Sequence, residues 1–135
     1  MCATYREESG FTLVEMMIVL VLISILSAMA TVTLGNSSHR AYVAAMQSDL
    51  RNVATAQEAY IEQTFAETGS ATYANNVNKL AVNLSSGVTI RMRANANGWT
   101  ARAMHQRVSG ARCAVFRGNV NPFPPATDEG KIECD

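Results

Sequence analysis

The chain has 135 residues, enough for one small domain plus an anchor. Its 11 Lys and Arg balance 11 Asp and Glu, so overall charge argues neither for nor against a nucleic-acid partner. With 2 His and 3 Cys, and no phosphate loop, zinc spacing or nucleophile elbow, nothing indicates an enzyme, a metal site or a cofactor.

The first predicted element follows Gly10-Phe11-Thr12-Leu13-Val14-Glu15. From Met16 to Leu26 every residue except Ser24 is apolar. Extended to Leu34, the run reaches the ~20 residues that a bilayer-crossing helix needs. Such a helix, apolar almost all round, must be buried in lipid or protein. Glu15 sits inside its front edge. An acid there is unfavourable, so it points to a function and calls for a partner. Ser24, Ser27, Thr31 and Thr33 can bond back to the helix's own carbonyls, which makes them tolerable in lipid.

The stretch G-F-T-L-V-E followed by an apolar helix resembles the class III signal of type IV pilins and of the pseudopilins of type II secretion systems. The resemblance covers about 25 residues from Gly10 onward. It implies cleavage by a membrane peptidase after Gly10, N-methylation of the new N-terminal Phe11 by the prepilin peptidase/methylase, and retention of Glu15 for assembly. The cut precedes the apolar core, unlike that of an ordinary secretory signal, so the anchor is kept. Cleavage frees an ammonium at Phe11. In a low-dielectric medium this cation and the Glu15 carboxylate attract strongly, each offsetting the other's desolvation. We expect an intermolecular pair between subunits; an intrachain pair is the alternative, since positions i and i+4 are also neighbours.

The segment 1–10 departs from the resemblance: Arg6 is followed by Glu7 and Glu8, where relatives usually carry basic leaders. The apolar helix lacks the Pro near Val32 and the Gly near Ser24 that many relatives have. Its first candidate break is Gly35-Asn36-Ser37-Ser38, through which the helix is expected to continue or kink. Cys2 precedes the apolar run and is no lipid-attachment site. Its loss with the leader leaves Cys113 and Cys134, a pair suited to an oxidising compartment.

From His39 onward the pattern becomes amphipathic. Val43, Met46, Leu50, Val53, Tyr60 and Ile61 recur at spacings of three and four or their multiples. This stripe needs cover, either from a sheet of the same chain or from a membrane surface or partner helix. One helix from Phe11 to about Phe65 would be roughly 80 Å long, its first half protruding from the globular part. Residues 69–76 are expected as a loop, 77–84 as a short helical turn, and Ser85-Ser86-Gly87 as a turn. Val88 to Arg93 alternates, with Val88, Ile90 and Met92 inward and Thr89, Arg91 and Arg93 outward. Residues 95–98 form a hairpin turn, and Trp99 to Met104 returns with Trp99, Ala101 and Ala103 inward. Gly110 is expected to start another turn before a third strand, 112–116. Asn121 to Pro125 has no strand capacity, and Lys131 to Cys134 is a short edge strand.

This half also resembles, more loosely, the C-terminal pattern of the same family. The implied fold is α+β: a long N-terminal helix, transmembrane in its first half and amphipathic in its second, packed on a small antiparallel sheet with a C-terminal disulfide-bounded loop. The expected organisation is leader 1–10, transmembrane/assembly helix 11–35 and globular domain 36–135. That domain comprises helix 39–66, connecting loop 67–87, sheet 88–117 and loop 113–134. A Cys113–Cys134 disulfide would contribute about 3 kcal/mol on the chain-entropy model; two free thiols are the alternative.

One charge cluster stands apart. Arg91, Arg93, Arg102, Arg107, Arg112 and Arg117 occur with no Asp or Glu between the first and the last. Arg91 and Arg93 share a strand face, with Arg102 beside them. The face could touch DNA phosphates, lie solvated, or pair with acids such as Asp49, Glu58 and Asp128 of another subunit. No aromatic platform is evident beside it, because Trp99 is expected in the core.

The resemblance implies a structural subunit of a type IV pilus, major or minor. It would be inserted in the inner membrane with its C-terminal domain outside the cytoplasm, then polymerised by pilus machinery into a homo-oligomeric surface filament for adhesion, motility or DNA uptake. The alternatives are a pseudopilin forming a short periplasmic filament with type II secretion machinery, and a membrane-anchored DNA-binding module.

Overall fold

The computed structural model describes residues 10–135, with the backbone alone for 30–36. The expectations for Cys2, Arg6, Glu7 and Glu8, and those for the side chains of Thr31 and Thr33, lie outside the described residues. The chain divides into two units after Ser37. Element order is α1 (Leu13–Thr68), a 3-10 turn (Val77–Lys79), β1 (Val88–Asn95), β2 (Gly98–His105), β3 (Val108–Gly118) and β4 (Glu133–Cys134). This is the expected α+β arrangement.

In the first unit the large apolar side chains from Phe11 to Met29 are each 45–83% exposed, so none is buried among the described residues. Ser24 bonds back to Leu20 O at 2.7 Å, as expected. Among the described residues, no helix is long and apolar enough to cross a membrane. The described side chains of the apolar run are those of 13–29, and the expected span 11–35 extends beyond them. The helical backbone passes through Gly35 without a break.

The second unit has one main core. Met46, Leu50 and Val53 of α1 pack with Val88, Ile90, Trp99, Ala101, Ala103, Cys113 and Val115 of the sheet. The amphipathic stripe is therefore covered by the chain's own sheet, the first of the two alternatives. The sheet is antiparallel throughout in the order β1-β2-β3-β4. Gly98 and Gly118 face each other across β2 and β3. A Cβ on either would come within 2.3 Å of Arg117 O or 2.1 Å of Asn97 O, so both positions demand glycine.

Three expectations are corrected. Gly110 starts no turn: the reversal is at Gln106-Arg107, and Gly110 lies inside β3. Consecutive Met104 and His105 face Arg112 and Val108, so 109–111 are extra residues in a bulge. Gly110, at φ +100, absorbs it. The helical turn expected over 77–84 is only Val77–Lys79. Asn76 caps it, and Leu80 turns extended and drops its side chain into the core, which ends the turn. Third, the outer face of the sheet is neither bare nor without an aromatic. Phe123 and Ala126, from the loop after β3, are buried there against Ala114 and Phe116.

The connecting segment after α1 is held by two polar residues of the helix. Gln57, fully buried, donates to Ala74 O at 2.6 Å and accepts from Ala74 N–H at 3.0 Å. Asp49, also buried, accepts from Ser85 N–H at 2.8 Å and from its hydroxyl at 2.9 Å. Gln57→Ala leaves both backbone groups of Ala74 buried and unpaired. It is expected to destabilise the unit by about 2–4 kcal/mol, seen as a lower urea midpoint and new proteolytic cuts within 69–87. An unchanged midpoint with no new cuts would show that water replaces the amide.

Candidate functional site

Two places carry chemistry: the start of α1 and the outer face of the sheet. At the first, Gly10, Phe11 and Thr12 precede the helix and are not helical. Gly10 and Phe11 are exposed, Phe11 at 83%, so the Gly10–Phe11 bond is accessible.

Thr12 then caps the helix. Its C=O accepts from Met16 N–H at 3.3 Å, and its Oγ1 accepts from Glu15 N–H at 3.2 Å. In return Glu15 Oε2 accepts from Thr12 N–H at 2.8 Å and from the Thr12 hydroxyl at 2.9 Å. This is a capping box, T-x-x-E, which satisfies donors that a helix start leaves open. The expectations for Glu15 considered only the Phe11 ammonium; the threonine three residues earlier was the missed signal. Both members of the box lie after the Gly10–Phe11 bond, so cleavage there removes neither. The box uses Oε2 and leaves Oε1 available.

The arginine cluster is split between the faces of the sheet: Arg91, Arg93 and Arg102 lie on the outer face, and Arg117 lies opposite Trp99 on the helix side. Two of its six members have acids: Arg112 bonds Asp135 at 2.5 Å, and Arg117 reaches Glu58 of α1 at 2.6 Å. Of the other acids considered, Asp49 is taken by Ser85 and Asp128 by Lys131 at 3.0 Å. Among the described residues, Arg91, Arg93 and Arg102 form no ion pair. The register sets Arg91 directly opposite Arg102. The guanidinium carbons of Arg93 and Arg102 lie 4.2 and 5.0 Å from the centre of the Phe123 ring. The expected grouping of 91, 93 and 102 is thus realised, with an aromatic that sequence reading missed because Phe123 folds back from a Pro-rich loop.

That loop is fixed at several points. Thr100, fully buried, donates to Val115 O and accepts from Phe123 N–H, both at 3.1 Å. Cys113 and Cys134, paired across β3 and β4, form a disulfide. Glu133 accepts from the N–H and hydroxyl of Thr127 and from Asp128 N–H. The Thr127 backbone bond, with the hydroxyl next, lowers the Glu133 carboxyl to about 2. Arg112 likewise holds Asp135 below the usual carboxylate range. A depressed carboxyl stabilises the fold above its unfolded value, and that contribution disappears as pH falls through the folded value. The 121–134 loop is therefore expected to loosen as pH drops from the ordinary glutamate value of 4.5 towards about 2. Glu133→Gln should flatten that dependence, which acid-titrated hydrogen exchange of Thr127 and Asp128 can check; an unaltered profile would assign it elsewhere.

His105 is occupied structurally. It stacks on Tyr42 with ring centres 4.2 Å apart. Its Nδ1 accepts from Arg107 N–H at 3.1 Å, so Nε2 carries the proton facing Ser86 O at 3.2 Å.

A long helix, its later part packed on a four-stranded antiparallel sheet closed by a C-terminal disulfide, is a pilin-like α+β fold. Residues 5–31 match the family model described as the prokaryotic N-terminal methylation motif, the class III signal of type IV pilins and pseudopilins. No curated protein and no solved structure matches the chain. The motif supports a structural subunit of pilin or pseudopilin type rather than an enzyme, processed by a prepilin peptidase and assembled into a pilus-like filament.

Proposed function

We propose that this chain is a type IV pilus subunit, major or minor, cut between Gly10 and Phe11, methylated at Phe11 and polymerised through its N-terminal helix. One observation carries the reading: the methylation motif leads directly into apolar side chains that are all substantially exposed. A surface of that kind needs lipid before assembly and neighbouring subunits afterwards. In lipid the cohesion between helices comes largely from packing rather than from transfer out of water. In this reading segment 11–35 spans the inner membrane, residues 36–135 lie outside the cytoplasm, and Glu15 sets subunit register by pairing with the Phe11 ammonium of a neighbour.

A pseudopilin of a type II secretion system is the second reading. The disulfide-closed loop favours the pilus, since many pseudopilins do without such a pair. A membrane-anchored DNA-binding module is less favoured, because Phe123 lies buried beneath arginines and offers no open face for a base.

The test is the non-reducing intact mass of the protein in sheared extracellular material and in membranes. The expected species is Phe11–Asp135 plus one methyl group and minus two hydrogens, abundant in the sheared fraction. The same mass confined to membranes would replace the pilus with the pseudopilin reading. An uncut chain starting at Met1 would overturn both.

A further inference from the structure

We infer that the cleft on the outer face of the sheet, walled by Arg91, Arg93 and Arg102, is a binding site for one phosphate-class oxyanion. The site needs no filament for its test, which uses the unassembled chain.

The cleft has a volume of about 370 Å³, lies at the β1 edge of the sheet and is lined by the three arginines, Asn75, Asn76, Phe123 and apolar residues of β1 and of the 3-10 turn. Three features make it more than a solvated basic face. First, Arg91 and Arg102 are directly opposed across β1 and β2. Like charges in that position destabilise a sheet unless something neutralises them, and none of the three arginines has a carboxylate among the described residues. Second, the guanidinium groups are held. Those of Arg93 and Arg102 both lie within 5.0 Å of the Phe123 ring centre. Phe123 is only 6% exposed and is fixed through its N–H to Thr100. Forks anchored on an aromatic lose less freedom when they bind. Third, the Arg102 guanidinium is incompletely satisfied: its buried Nε has no hydrogen-bond partner among the described residues. At the rim, Asn76 Oδ1 accepts from Asn78 N–H at 3.0 Å, and the NH₂ of the same amide is a further donor.

The ligand class follows from counting. A carboxylate has two oxygens and a single charge, which one bidentate arginine fork matches. Three guanidinium groups and a carboxamide suit a group with three terminal oxygens and a charge of about −1.5 to −2, as a phosphomonoester has near neutral pH. Inorganic phosphate and a pendant phosphomonoester share this chemistry.

The experiment uses the full chain, labelled with ¹⁵N-arginine, in a non-ionic detergent at fixed ionic strength. Sodium phosphate is titrated while the arginine Nε–H signals are followed. The expected result is saturable movement of Arg91, Arg93 and Arg102 with one common affinity, while Arg112 and Arg117 stay still. Arg91→Gln or Arg102→Gln should weaken binding about tenfold or more, as loss of one charge-assisted bond predicts. Arg102→Lys, which keeps charge but not the fork, should restore only part. Glycerol 3-phosphate binding as well as phosphate identifies a pendant ester as ligand; phosphate alone identifies the free anion. Either outcome sustains the site. Acetate binding as tightly as phosphate overturns the class. Linear, unsaturated shifts across all arginines overturn the site itself. A thymidine dodecamer without a terminal phosphomonoester that binds far tighter, moves Arg107 too and loses affinity steeply with salt replaces the pocket with a nucleic-acid surface. The wild-type titration alone decides, even if a variant fails to fold.

Discussion

Glu15→Ala is expected to leave cleavage after Gly10 and methylation of Phe11 intact, and to reduce filament yield by more than tenfold (roughly 1.4 kcal/mol per tenfold in any equilibrium constant). This residue has one job in the structure and a second, separable one in the proposed function. One is local: Oε2 closes the capping box with Thr12. The other is the proposed pairing with a neighbour's Phe11 ammonium, for which Oε1 is available. Alanine removes both, so it cannot say which one assembly needs. Glu15→Gln separates them, because a capping box accepts Gln at this position while a neutral amide cannot offset a buried ammonium. Thr12→Val does the converse, removing the hydroxyl half of the box and keeping the charge. If charge pairing sets register, Glu15→Gln fails like alanine and Thr12→Val still assembles. If Glu15→Gln assembles normally while Ala does not, the residue acts through the helix start and the register proposal is wrong. Intact mass from membranes confirms processing in each variant, and pilin recovered by shearing measures assembly.

Removing the disulfide is expected to be the largest single loss of stability in the second unit. Cys113 and Cys134 are 21 positions apart, and on the chain-entropy model a link of this span contributes about 3 kcal/mol. The local effect exceeds what that figure suggests. β4 is only Glu133–Cys134, too short to hold an edge alone. With the link gone, the loop between the cysteines keeps buried Phe123 and Ala126, the Phe123 N–H bond to Thr100 and the Gly130 N–H bond to Phe116 O as attachments. Cys113→Ala with Cys134→Ala should lower the urea midpoint by an amount equivalent to about 3 kcal/mol and open 119–132 to proteolysis before the rest of the unit unfolds. It should also loosen Phe123 beneath Arg93 and Arg102. Equal midpoints with and without reductant, and an uncut loop, would mean that buried Phe123 holds the segment unaided.

The elements that sequence determined are those whose signal is local. An apolar run interrupted only by Ser24 and preceded by G-F-T-L-V-E needs no partner to be recognised. The three-and-four spacing of Met46, Leu50 and Val53 announces a buried helix face, and the alternation from Val88 to Arg93 a strand, because side-chain direction repeats with backbone geometry. The T-x-x-E box was equally local and was eclipsed by the apolar context around Glu15.

What only the tertiary structure decided are pairings between distant residues. Gln57 looks like a polar interruption of the stripe until Ala74, 17 positions on, supplies both its partners. Asp49 stays unexplained until Ser85 arrives from 36 positions away. Gly110 signals a turn unless the β2 register is known, and then it marks a bulge. The arginine face was visible, but its pocket was not, since Phe123 reaches it by folding back 23 positions to Thr100. Periodicity records which way a side chain points. It carries no information about which far segment will meet it, and that is fixed only when the whole core closes.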